Sequence, residues 1–178
     1  MSGLYTPEYV PTGKETAVLH TSKGDIIVEL AGKDAPIHVG NFVELAKKGF
    51  YDDLKFHRHE PGFVIQGGCP HSRAYSSEEL AFGRMDHARG IPGTGGPGYN
   101  IKGEWLTNPN NTHEDGTLAM ARSQMPDSAG SQFYFCLGPQ YFLDANYTVF
   151  GNTADEASLR VVHSLALGDV IESIEIID

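Results

Sequence analysis

The chain has 178 residues, 40% of them hydrophobic and 20% charged, which suits a single soluble domain with room for a core. Thirteen basic against 23 acidic residues give a formal charge of −10, the wrong sign for a partner held through phosphate neutralisation, so nucleic acid is disfavoured as a ligand. Residues 1–10 have no basic n-region and no apolar run of signal length, and no stretch approaches the roughly 20 apolar residues that span a bilayer, so a cytoplasmic protein without a membrane span is expected.

Residues 1–15 contain Gly3, Pro7, Pro11 and Gly13 without periodicity and read as an extended arm, either laid on the domain or mobile. The domain proper runs over 16–178. Its β-rich runs 17–21 and 25–30 flank Ser22-Lys23-Gly24, a hairpin whose glycine supplies positive φ. A helix follows, with Asp34 as cap, Pro36 in the first turn, and Val39, Phe42, Val43 and Ala46 at i, i+3, i+4 and i+7. Strands are expected over 55–59 and 63–66. Residues 69–104 are the least regular part, with a helical turn at 77–82 at most. Further strands are expected over 117–121, 132–137, 147–150 and 170–177, with a second helix over 154–167 in which Thr153 and Glu156 form a capping box and Gly168 is the stop. Many strands and two helices predict an antiparallel barrel or sandwich. Strand alternation puts Phe133 and Phe135 on one face and Gln132 and Tyr134 on the other, so a barrel that buries the phenylalanines leaves Gln132 and Tyr134 to a ligand.

The segment from Phe56 to Gly68 places Arg58 and Gln66 among apolar side chains. A permanent charge in a β-rich run needs a partner, either an acid such as Glu60 or Glu104 or a substrate amide. Gln66 and Gln132 are neutral and bidentate, suited to orienting a carbonyl, although each alone also reads as core hydrogen bonding. Phe63, Val64, Met120, Tyr134, Phe142 and Leu143 read as core on composition; an arginine and two glutamines on neighbouring runs turn the reading towards a cleft that grips an apolar ring beside a peptide bond. His57 and His59 share a strand face, but no cysteine or carboxylate completes a ligand set with them or with His71 and His87. The glycines at 93–98 lack the Lys-Ser/Thr of a phosphate loop, and no Gly-x-Ser-x-Gly elbow marks a nucleophile. Cys69 and Cys136 have neither zinc nor redox spacing and read as unpaired thiols, at least one of them buried.

In order and spacing, Phe56-His57-Arg58, Pro61-Gly62-Phe63-Val64-Ile65-Gln66-Gly67-Gly68, Gly93-Thr94-Gly95-Gly96, Met120-Ala121, Gly130-Ser131-Gln132-Phe133, Phe142-Leu143-Asp144 and Val149-Phe150-Gly151 resemble the cyclophilins, the cyclosporin-type peptidyl-prolyl cis-trans isomerases. The resemblance implies a mainly β fold, a closed eight-stranded antiparallel barrel capped by two α-helices, with its active site on the outer surface. It implies Arg58 as the catalytic arginine and Gln66 as the residue that orients it and the substrate. Phe63, Val64, Phe142 and Leu143 match the proline pocket, and Ala121, Arg122, Gln132 and Tyr134 continue the groove. His57, Gly93 and Tyr147 fall with the substrate-binding positions. Neither cofactor nor metal is implied; the partners are proline-containing peptides and protein clients, unfolded or folded, with a monomer as default. A proline-binding or chaperone module that holds chains without turning them over is the rival reading.

Three features depart from the best-known eukaryotic members. Phe142 replaces a tryptophan whose indole donor serves cyclosporin, which implies weak binding of the drug at most, and Tyr147 replaces a pocket histidine. Both substitutions, with Met120-Ala121-Arg122-Ser123, resemble the prokaryotic branch. The third departure is an insertion at about 71–92, to which the sequence assigns no role.

Overall fold

The structure is a computed structural model and describes residues 3–178. Strands β1 (Thr16–Thr21) and β2 (Gly24–Leu30) form the expected hairpin, with Thr21 paired to Gly24 and the glycine at φ +129°. Period-two alternation buries Ala17 and Leu19 from one strand and Ile26, Val28 and Leu30 from the other. Helix α1 (Pro36–Lys47) lays the anticipated stripe of Val39, Phe42, Val43 and Ala46 on the core. Its cap differs from expectation. Asp34 is occupied by the Asn110 amide, and the first helical N–H groups, from Ile37 and His38, donate instead to the buried carboxylate of Glu104 at 3.1 and 2.8 Å. Sequence distance conceals such a cap, because it is a tertiary contact.

The expected strand at 55–59 breaks in two. β3 (Leu54–Lys55) and β4 (Arg58–Glu60) flank Phe56, whose N–H goes to Asp169 O, and His57, whose N–H goes to Gln66 O. The remaining elements are β5 (Val64–Gly67), α2 (Ser77–Ala81), β6 (Thr117–Met120), β7 (Phe133–Cys136), β8 (Val149–Thr153), α3 (Glu156–Ser164) and β9 (Val170–Ile177). All pairings are antiparallel, in the order β3-β9-β1-β2-β8-β6-β7-β5-β4. The fold is therefore mainly β, but it is a curled nine-stranded sheet rather than a closed eight-stranded barrel. Its two edge strands are joined by the chain at Phe56–His57 and not by a ladder, because Phe56 and His57 turn their backbones to opposite edges. Phe133 and Phe135 are fully buried inside the curl with Phe42, Tyr51, Phe56 and Phe150, and four of the ring pairs that involve Phe133 cross edge-on. Helix α3 is capped by Asp155, which accepts from Ser158 N at 2.7 Å; Thr153 belongs to β8 and gives its hydroxyl to Gly116 O.

The insertion is more ordered than its composition suggests, and α2 makes three α-helices among the described residues instead of two. A 3-10 turn at Pro70–Ala74, α2 with a Ser76–Glu79 capping box, and a second 3-10 turn at His87–Arg89 pack around buried Tyr75 and Leu80. Arg89 clasps Glu79 through two nitrogens, at 3.0 and 2.7 Å, and covers the Tyr75 ring. The His71 ring lies so close to Gly90 and Gly95 that a Cβ at either would stand 2.5 or 2.8 Å from it. The insertion thus backs the glycine loop at 93–98. The N-terminal arm is laid on the domain: Tyr5 N donates to Asn100 O, and Glu44 accepts from Tyr5 Oη and Tyr9 N.

Candidate active site

Register alone assembles the site. Arg58 on β4 is directly opposite Gln66 on β5, Gln66 opposite Tyr134 on β7, and Tyr134 opposite Ala119 on β6. Directly opposed residues share a face, so these four form one row across the outer surface of the sheet, facing away from Phe133 and Phe135. Val64 and Cys136 form the adjoining row, and with Leu143 and Val149 they make a second apolar cluster separate from the main core.

Above this cluster lies a cavity of about 330 Å³ lined by Arg58, Phe63, Val64, Gln66, Ala121, Arg122, Tyr134, Phe142, Leu143 and Tyr147. Phe63, half-buried, and Phe142, exposed, stack at 5.7 Å and form a wall; Val64, Tyr134 and Leu143 form the buried floor. The Arg58 guanidinium stands 5.8 Å from the Phe63 ring, half exposed, with Glu60 3.9 Å from its Nε. The alternative pair with Glu104 does not form, because Glu104 is committed to α1 and to His38 Nδ1 at 2.7 Å. Arg58 is thus a cation whose donors are largely unspent at the rim of an apolar cavity. Arg122, by contrast, is engaged by its neighbours. It donates to Asn146 O at 3.0 and 2.7 Å and to Ser123 O at 2.9 Å, with its guanidinium 5.1 and 4.7 Å from the rings of Trp105 and Tyr147, so it builds wall.

A second cavity of about 270 Å³ continues the groove past Gln66, Ala121 and Arg122 to the 93–97 loop, Asn100, Ser123, Ser128 and Gly130 to Gln132. Gln132 secures that loop by donating to Gly93 O and Gly95 O, each at 2.9 Å, while accepting from Gln66 Nε2 at 3.0 Å. Gln66 is thereby oriented, and its Oε1 has no protein partner among the described residues.

His57 is one of the expected substrate-binding positions. It lines neither cavity and sits behind Gly93, whose Cβ position is 3.5 Å from the ring. Burial, reinforced by the Arg58 charge, pushes its pKa down to about 4. The unfolded chain takes up this proton near pH 6.5, the folded chain near 4, so the stability contributed by neutral His57 is complete above about 6.5 and is lost as pH falls towards 4. Urea unfolding from pH 7 to 4 is expected to show His57→Gln losing less stability than the wild type by on the order of 2 kcal/mol. Parallel stability curves would exclude this role.

Residues behind the cavity were not evident from sequence. His113 and Asn111 sit on an irregular stretch, and only register reveals that Tyr134 Oη meets His113 Nε2 at 2.8 Å. Asp144, in the Phe142-Leu143-Asp144 motif, is the signal that the wall turn carries an acceptor.

The curled antiparallel sheet thus carries an apolar, arginine-rimmed groove on its outer face. The sequence matches the family "Cyclophilin type peptidyl-prolyl cis-trans isomerase/CLD" over residues 16–177. It is 45% identical over 161 residues to a peptidyl-prolyl cis-trans isomerase of Synechococcus elongatus, covering 90% of this chain and 95% of that one. A Helicobacter pylori peptidyl-prolyl cis-trans isomerase is 43% identical over 158 residues, 89% of this chain and 84% of its own. The crystal structure of a Cryptosporidium parvum cyclophilin type peptidyl-prolyl cis-trans isomerase, determined in the presence of the dipeptide Ala-Pro, superposes with a TM-score of 0.71 at 25% identity, over 92% of this chain and 99% of that one. The chain belongs to the cyclophilin-type peptidyl-prolyl cis-trans isomerases.

Proposed function

We propose that the groove binds an X-Pro segment with the proline ring between Phe63, Val64, Phe142 and Leu143 on the Tyr134 floor, and that Arg58 accelerates rotation by donating to the amide nitrogen as it twists. Amide resonance sets a barrier of about 18–20 kcal/mol and leaves the free bond to isomerise over tens to hundreds of seconds. Rotation breaks that resonance and returns a lone pair to nitrogen, so a donor aimed there stabilises the twisted state more than either planar one. Gln66, held by Gln132, presents its Oε1 to orient Arg58 and the substrate. The observation that carries this reading is the Arg58 guanidinium, which among the described residues has only a loose 3.9 Å contact to Glu60, beside an apolar cavity on the outer face. The Ala-Pro dipeptide present with the Cryptosporidium parvum neighbour supports proline as the ring. A cis-trans exchange assay on an X-Pro peptide tests it; binding without exchange enhancement would make the groove a holding module.

The same groove is proposed to hold cyclosporin only weakly, because Phe142 presents an exposed ring without a donor. Phe142→Trp restores an indole N–H, worth about one hydrogen bond, and is expected to tighten cyclosporin by roughly 10-fold in calorimetric titration. An unchanged Kd would show that the drug is limited elsewhere.

A further inference from the structure

We infer that His113 is a positioning residue that sets the shape of the proline cavity through a hydrogen-bond relay joining its floor to its wall. The inference rests on the assignment of that cavity to proline. Tyr134 lines the cavity and His113 does not, yet the Tyr134 hydroxyl meets His113 Nε2 at 2.8 Å, and the two rings stack 14° from parallel. On the far side of the imidazole, Nδ1 is 2.7 Å from Asp144 Oδ1, which also accepts His113 N at 2.7 Å. Asp144 directly follows Leu143 in the turn that carries Phe142 and Tyr147. His113 O accepts from Gln140 N at the start of that turn, and Asn111 Nδ2 donates to Asp144 O and Tyr147 O. One short segment, 111–113, therefore grips the wall turn along its length while holding the floor ring by its hydroxyl.

The polarity of the relay follows from its ends. A carboxylate only accepts, so Nδ1 carries the proton, neutral Nε2 accepts, and Tyr134 donates. His113 is completely buried, and that burial holds its imidazole below the usual value despite Asp144, in keeping with the neutral form. A phenylalanine at 134 would fill nearly the same volume without this tether, so the hydroxyl fixes the ring and adds no bulk. A floor and wall held before substrate arrives reduce the ordering cost of binding, and the relay is expected to act on KM while Arg58 governs kcat.

Nitrogen-15 NMR of the wild type is expected to show His113 with Nδ1 protonated and Nε2 bare at neutral pH; the opposite tautomer overturns the relay. In steady-state isomerase assays His113→Phe is expected to raise KM by about 10-fold in the native background but less than about 2-fold in a Tyr134→Phe background, with kcat within about 2-fold throughout. Effects that simply add would mean that His113 acts on the fold and not through Tyr134. Should His113→Phe fail to fold, Tyr134→Phe alone decides: a raised KM with a shifted His113 Nε2 resonance supports the relay, and an unchanged KM overturns it. If the wild type binds X-Pro peptide without exchanging it, the proposed activity fails, and peptide Kd replaces KM in the same cycle, so the two failures remain distinct.

Discussion

Replacing Arg58 with alanine is expected to lower kcat/KM for an X-Pro peptide by at least about 100-fold, equivalent to roughly 2.7 kcal/mol of transition-state stabilisation, with the fold retained. Fold and chemistry separate cleanly at this position. The side chain is half exposed, and its one acidic neighbour is a loose 3.9 Å contact to Glu60, an interaction that at such exposure is worth at most about 1 kcal/mol. In the proposed mechanism a bound peptide would cover the guanidinium, remove competing water, and leave it facing an amide nitrogen whose basicity grows only during rotation. Arg58→Lys keeps the charge but loses the planar fork and is expected to remain well below wild type. Near-native turnover by a folded Arg58→Ala protein would remove the arginine from the mechanism.

Glu104→Ala is expected to cost about 3–5 kcal/mol of stability, lowering Tm by about 10 °C for a domain of this size. The carboxylate is buried and receives Ile37 N, His38 N and His38 Nδ1, so its removal leaves three donors without acceptors inside the protein. Its own N–H donates to Thr148 Oγ1, and the next residue, Trp105, carries Arg122 against Tyr147. The start of α1 and the cavity wall thus share one anchor. Glu104→Gln retains one acceptor and one donor and is expected to lose about half as much. A loss below about 1 kcal/mol for the alanine variant in urea unfolding would show that solvent or neighbouring groups replace the carboxylate.

Period and spacing made most of this molecule legible. The hairpin at β1 and β2, the apolar stripe of α1 and the opposed faces of β7 all follow from patterns that a few neighbouring residues set. The same alternation identified Tyr134 as groove and Phe133 as core, and ten of the anticipated groove residues surround one cavity. What escaped is tertiary. The cap of α1 comes from Glu104, 66 positions beyond His38, and Asp34, the local candidate, is drawn away by Asn110. The break between β3 and β4 arises because Phe56 and His57 bond to different edges, which no propensity records. The strand interruption also sets the His57 ring against Gly93, a placement that local pattern does not reveal. Composition hid the insertion, whose order comes from a capping box, a clasped arginine and buried Tyr75.

Exchange NMR on an X-Pro peptide tests the central claim most directly, because it reads binding and isomerisation in one sample. Wild-type protein is expected to connect the cis and trans resonances within a mixing time of about a second, where free peptide, exchanging over tens to hundreds of seconds, shows no cross-peaks. Arg58→Ala is expected to broaden or shift the same resonances through binding while the cross-peaks vanish. Cross-peaks of wild-type intensity from the alanine variant would contradict the account.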